Sequence, residues 1–155
     1  MQLSEIFLGL GQESLPQLLR SISMGKLRTY QLFDIVKTRA HLGKLNSETL
    51  RKAAPRLWPR LEAREEELAQ DLAQAILVSN LEMIIGVLDF LGVPHEDGFF
   101  AKDMDAGQYL TEGWQQRAFE EFRARYPEPV LLFYLNHLAA EMSKEASFFA
   151  GAARA

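Results

Sequence analysis

The chain has 155 residues, 48% of them hydrophobic and 25% charged, with a formal net charge of −4 and no cysteine. That size and balance fit one globular domain, with neither the polarity of a disordered chain nor the apolarity of a membrane protein. The missing cysteine excludes disulfides, thiolate catalysis, iron–sulfur clusters and cysteine zinc sites together.

Helical periodicity runs through the whole chain, and no strand pattern emerges. Residues 1–11 lack the basic start and small-residue cleavage site of a secretory signal. Leu3, Ile6, Phe7 and Leu10 fit a short first helix closed by Gly9 and Gly11. Ser14, ahead of Pro16, is a suitable N-cap for a second helix with Leu15, Leu18, Leu19 and Ile22 on one face. Gly25 separates it from a third helix, capped by Thr29, with Phe33, Val36 and Ala40 facing inward and Gly43 at its end. Ser47 caps a short fourth helix reaching Ala54. Pro55 and Pro59 are expected to stop it, because each lacks the amide that a helix interior uses. Trp58, between them, is expected to plug the resulting corner.

Pro59 suits the first turn of a long helix over about 59–92. Glu62, Glu65, Glu66 and Glu67 in its opening turns complement the positive end of the helix dipole. Residues 75–91 are apolar around the whole circumference, the pattern of a central helix with neighbours on every side. Glu82 and Asp89 make the same run costly as a membrane span. A loop over 95–107 comes next, rich in Asp and Gly, with Phe99 and Phe100 expected to fold back over the core and Asp105 to cap the next helical segment. Leu110, Trp114, Ala118, Phe122 and Tyr126 recur every fourth residue, an amphipathic helix stopped by Pro127 and Pro129. Leu131, Leu135, Leu138, Met142 and Phe149 mark the last helix, and 150–155 a frayed tail. The expected fold is all-α. It is a single domain over 1–155, a compact bundle of about six or seven helices around the long one, with basic helices over 14–58 and an acidic core over 59–149.

Charge is distributed unevenly along this frame. Residues 20–60 carry ten bases against Asp34 and Glu48, a net of +8. From residue 61 onward seven bases face seventeen acids, a net of −10. A split of that size either recruits an anionic partner or docks one part of the molecule on another. Lys37, Arg39, Lys44, Arg51, Lys52 and Arg56 are the candidate partner-binding residues. An acidic protein, or the acidic half of a second copy in a homodimer, would meet them. The alternative partner is nucleic acid, held by a degenerate helix-turn-helix over 29–54 with 47–54 as reading helix. Its spacing is poor: the usual turn is three or four residues, whereas 41–46 intervene and Arg39 stands where a small residue is normal. The blander possibility is a solvated surface whose ion pairs are worth about 0–1 kcal/mol each.

Catalytic and metal constellations are weaker. Ser79, Glu82, Gly86 and Asp89 share one side of the long helix, and His137 and Glu141 share one side of the last. If those sides met, Glu82, Asp89, His137 and Glu141 could hold a metal or act as acid and base. The Glu-x-x-His spacing of helical di-metal sites is missing, since Ile85 stands three residues after Glu82. Asp103 and Asp105 resemble the start of a calcium loop, but Gly107, Gln108 and Trp114 occupy its later ligand positions. His41, His95 and His137 lie in separate elements, and no nucleophile motif accompanies them. No cofactor is expected. Phe133 and Phe148 lie off the main stripe of the last helix, so it is apolar on more than one side, as in a protein interior or a homodimer interface. The sequence therefore predicts a non-enzymatic regulatory or adaptor module of the cytoplasm, homodimeric, binding a macromolecule through its basic face. A nucleic-acid-binding regulator is the alternative, and a metal- or small-ligand-binding bundle the third reading.

Overall fold

The computed structural model describes residues 2–23, 25–26, 30, 47–100, 104–142, 144 and 147–149. Among them the fold is all-α, with no strand beyond an isolated bridge between Glu96 and Phe99. The helices are α1 (Leu3–Leu10), α2 (Leu15–Arg20), α3 (Ser47–Glu62), α4 (Glu66–Ser79), α5 (Leu81–Leu91), α6 (Trp114–Phe122) and α7 (Glu128–Glu141). Contacts divide the chain into two compact units, Met1–Ser79 and Asn80–Ala155. Among the described residues no single helix is long and apolar enough to cross a membrane.

In the first unit α1 and α2 pack against α3, and α1 and α3 against α4. Ile6, Phe7, Leu15, Leu18, Leu57, Leu61 and Leu72 are among its fully buried side chains of largest volume. Ser4 ties α1 to the start of α4: its amide and hydroxyl both donate to Oε1 of Glu66. A carboxylate thereby meets one of the open N–H groups, that of Ser4, at the positive end of α1. Ser14 sits one residue before α2 as expected, but its hydroxyl donates back to Leu10 O at 2.7 Å instead of capping the helix.

The single helix expected over 59–92 is instead parts of three, α3, α4 and α5. Pro55 and Pro59 stand inside α3 rather than ending one helix and opening another. Both prolines are exposed, while Ala54, Leu57 and Leu61 on the same helix are buried. The missing amides therefore lie on the solvent side, where water can satisfy the carbonyls they leave open, and burial of the opposite face carries the helix through. Trp58 consequently fills no corner. It is half-buried within the helix, and its indole N–H donates to Glu62 Oε1 at 2.7 Å.

The break between α3 and α4 is a Schellman turn. Glu65 N donates to Arg60 O and Arg64 N to Leu61 O, with Arg64 left-handed at φ 62°. The break between α4 and α5 is Asn80, at φ −124° and ψ 36°. The hydroxyl of Ser79, just before it, accepts the Ser23 amide at 3.1 Å. That bond secures the end of α4 to the segment after α2. The apolar residues of 75–91 are thus shared between two units rather than forming one central rod.

In the second unit α6 packs between α5 and α7. Leu110, Trp114, Ala118 and Phe122 of the expected stripe are buried, but Tyr126 is only half-buried, and the helix covers Trp114–Phe122 alone, with Leu110 closing the 3-10 turn before it. α7 is buried almost throughout, from Val130 to Asn136 and again at Leu138 and Ala139. α5 ends in a second Schellman turn, with Gly92 at φ 72° and Val93 N donating to Leu88 O.

Candidate functional site

Of the candidate partner-binding residues, Lys37, Arg39 and Lys44 lie outside the described residues, as does the supporting helix of the helix-turn-helix. The backbone of Arg51 and Lys52 lies in α3; their side chains are outside the described part. Arg56 is exposed, on the same solvent side of α3 as Pro55 and Pro59. The short reading helix expected over 47–54 is part of a 16-residue helix that packs its apolar face on α1 and α2. Beyond Arg56 the bases are matched within the unit. Arg60 Nε lies 2.7 Å from Glu65 Oε2, and Arg64 Nη1 lies 3.2 Å from Glu5 Oε1. All four side chains remain substantially exposed, so each pair stabilises by no more than about 1 kcal/mol. The pairs do cancel positive charge at the C-terminal end of α3, which leaves Arg56 as the last unpaired base in this direction among the described residues.

The four residues considered for a metal do not gather. Among the described residues no three histidine or carboxylate side chains approach as a possible metal site. Glu82 is exposed. Asp89 is engaged by a residue the sequence did not pair with it: its Oδ1 lies 2.7 Å from Nε2 of His95. The other nitrogen of His95, Nδ1, accepts the Gly98 amide at 3.0 Å. An amide can only donate, so Nδ1 is the acceptor of this pair and Nε2 is the nitrogen that donates to Asp89. His137 and Glu141 face each other along α7 at 3.9 Å, too far for a hydrogen bond, and His137 Nδ1 is buried without a hydrogen-bond partner. Burial lowers the His137 pKa and raises that of Glu141. Burial, and secondarily the charge of Glu141, holds the Tyr134 phenol far above its usual range.

His95 anchors a tight hairpin turn. Glu96 and Phe99 exchange both backbone hydrogen bonds, at 2.8 and 2.9 Å, around Asp97 (φ 52°) and Gly98 (φ 89°). Positive φ at both central residues is the backbone of a type I′ turn, which the Asp-Gly pair favours. The turn borders an open cleft of about 540 Å³ lined by Pro94, His95, Glu96, Phe99, Phe100 and Met104, among others. Phe99 does not fold back over the core: it is 61% exposed, because the hairpin directs it outward. Further along, Asp105 behaves as expected, its Oδ1 accepting Gly107 N and capping a short 3-10 turn.

Asn136 is the polar residue that sequence reasoning passed over. It is fully buried in α7, and its carboxamide holds the backbone of Phe148 at both ends. Nδ2 donates to Phe148 O at 2.7 Å, and Oδ1 accepts Phe148 N at 2.8 Å. The remaining Nδ2 hydrogen serves Leu132 O at 2.8 Å. The ring of Phe148 meets Phe119 of α6 edge-to-face, with centroids 6.0 Å apart. The available signal was one asparagine in the otherwise apolar run 130–135 and 138–139, a position where an amide must find partners.

No protein-family model, curated protein or solved structure matches the chain.

Proposed function

We propose that this protein is a non-enzymatic regulatory or adaptor module that binds an acidic macromolecular partner, with the segment around α3 as the contact. The observation that carries this reading is the exposure of Arg56 on the solvent side of α3, at the edge of a stretch with net charge +8. Arg60 and Arg64 are neutralised by Glu65 and Glu5, which bounds the contact at Arg56 and is consistent with its being formed by Lys37, Arg39, Lys44, Arg51, Lys52 and Arg56. Such a field steers association and fixes orientation more than it adds affinity, and its effect falls with salt. The cytoplasm, where acidic proteins and nucleic acids are both at hand, is the proposed compartment.

A fluorescent glutamate-rich peptide and a labelled DNA duplex, each titrated at low and at physiological salt, test the reading. The acidic peptide binds at low salt and weakens as salt rises. No binding of the peptide at low salt contradicts the proposal. Tighter binding of the duplex at both salts replaces it with the nucleic-acid alternative.

A further inference from the structure

The turn that carries Phe99 is fixed to α5. His95 donates through Nε2 to Asp89 and accepts the Gly98 amide on Nδ1. Gly98 lies against Leu81, Ile84 and Ile85, where a Cβ would stand 3.4–3.7 Å from their side chains. Phe99 is therefore held in solvent by a turn with little freedom to withdraw it, and it shares its cleft with Pro94, Phe100 and Met104. An exposed aromatic joined to such a lining marks apolar surface that another molecule can cover. Both nitrogens of His95 are engaged, so the histidine brings no free acid or base to the cleft. The remaining polar lining is Glu96 and Asp97, both exposed, and among the described residues neither is paired with a base.

The same unit shows what fits such a place. At the end of α6 the Arg125 guanidinium lies 4.3 Å from the ring centroid of Phe122 and pairs with Glu121 at 3.0 Å. The Arg123 guanidinium lies 5.2 Å from the centroid of Phe119 and 3.9 Å from Glu120. Ring, carboxylate and arginine thus occur together twice. Phe99 with Glu96 and Asp97 repeats the ring and the carboxylates, but among the described residues no arginine or lysine covers it. Its complement is a guanidinium, which is flat, weakly hydrated, and able to lie on a ring face while its edge meets a carboxylate. Residues 80–155 carry twelve acids against six bases, a net of −6, so the field of this unit favours a basic partner as well.

We propose that the cleft beside the Asp97-Gly98 turn is the docking site for an arginine-bearing segment of a basic protein, whose guanidinium lies on Phe99 with Glu96 and Asp97 as counter-charges. An open cleft leaves a small cation largely in water, so neighbouring residues of the segment share the contact, on Pro94, Phe100 and Met104. This second contact is opposite in sign to the one around α3, lies in the other unit, and does not rest on it.

Fluorescence anisotropy of a labelled arginine–glycine repeat peptide, and of a lysine–glycine counterpart of equal charge, tests it on the full chain. The arginine peptide binds wild-type protein at low salt, several-fold more tightly than the lysine peptide. Phe99→Ala weakens the arginine peptide by about fivefold and the lysine peptide by less, whereas Phe99→Tyr, which keeps a ring, binds like wild type. Glu96→Gln with Asp97→Asn weakens both peptides and flattens their salt dependence; asparagine tolerates the φ of 52° at residue 97, so the turn survives. Replacing Arg51, Lys52 and Arg56 with alanine does not weaken the arginine peptide, which separates this contact from the one around α3. Equal affinity for the two peptides, or no response to Phe99→Ala, overturns the proposal. Wild-type dimers in sedimentation velocity that Phe99→Ala dissolves would seat the chain's own basic stretch in the cleft, and would overturn it too.

Discussion

His137 and Glu141 stand one turn apart on α7 and respond to acid in opposite senses. Burial lowers the His137 pKa below its ordinary 6.5, so just below that value the unfolded chain takes up a proton that the folded chain refuses. Acid therefore destabilises the fold from about pH 6.5 downward through the folded value, and above pH 6.5 this residue contributes no pH dependence. Burial raises the Glu141 pKa above its ordinary 4.5, so the folded chain holds that proton more tightly than the unfolded one. The resulting stability is present at low pH and is lost as pH rises from about 4.5 through the folded value. Urea unfolding midpoints at about pH 5, 6 and 7.5 separate the two. His137→Gln flattens the loss of stability on acidification, and Glu141→Gln steepens it. A profile unaltered by His137→Gln would show that its burial carries no linkage. Gly98 is tested more simply. At φ 89° it occupies a conformation that L-residues avoid, so Gly98→Ala lowers stability by about 1–2 kcal/mol in the same unfolding measurement. An unchanged midpoint would mean that the hairpin relaxes without strain.

At the scale of elements, the helix ends show what a sequence reveals and what it conceals. The end of α5 was legible because Gly92 takes the left-handed position of its Schellman turn, and glycine does so without steric cost. The end of α3 is built from the same pair of hydrogen bonds, but the left-handed residue is Arg64, so no glycine announces it. Asn80 conceals the third boundary, because one polar residue within an apolar run reads as an interruption of a helix rather than the start of another. The prolines misled in the opposite direction. Pro55 and Pro59 suggested a break, yet four-residue spacing puts both on the solvent side of α3, opposite the buried Leu57 and Leu61. Pro55→Ala restores an amide to an exposed helical position, so the unfolding midpoint rises by an amount worth about 1–3 kcal/mol, after the entropy returned to the unfolded chain is deducted. A fall in stability would mean that the bend at Pro55 is needed for α3 to pack on α1 and α2.

Across the whole molecule, the all-α class and the amphipathic faces of α1, α2 and α6 were legible because they depend on periodicity alone. The candidate site was legible only in outline. Composition located the excess of positive charge, but side-chain pairing is a three-dimensional property, and the pairing of Arg60 with Glu65 removes part of it. The partnership of Asp89 with His95 was likewise hidden, since it depends on the turn that brings a loop histidine back to the end of α5. Asn136 was hidden because its partner lies twelve residues further along the chain. What remains for function is a stretch of cations bounded by Arg56 and an acidic remainder of opposite sign. The most direct test of the basic contact is the low-salt affinity of the glutamate-rich peptide for wild-type protein and for the chain carrying Arg51→Ala, Lys52→Ala and Arg56→Ala. The triple variant, folded by circular dichroism, should bind about tenfold or more weakly, with a shallower dependence on salt. Equal affinity of the two proteins would contradict the account.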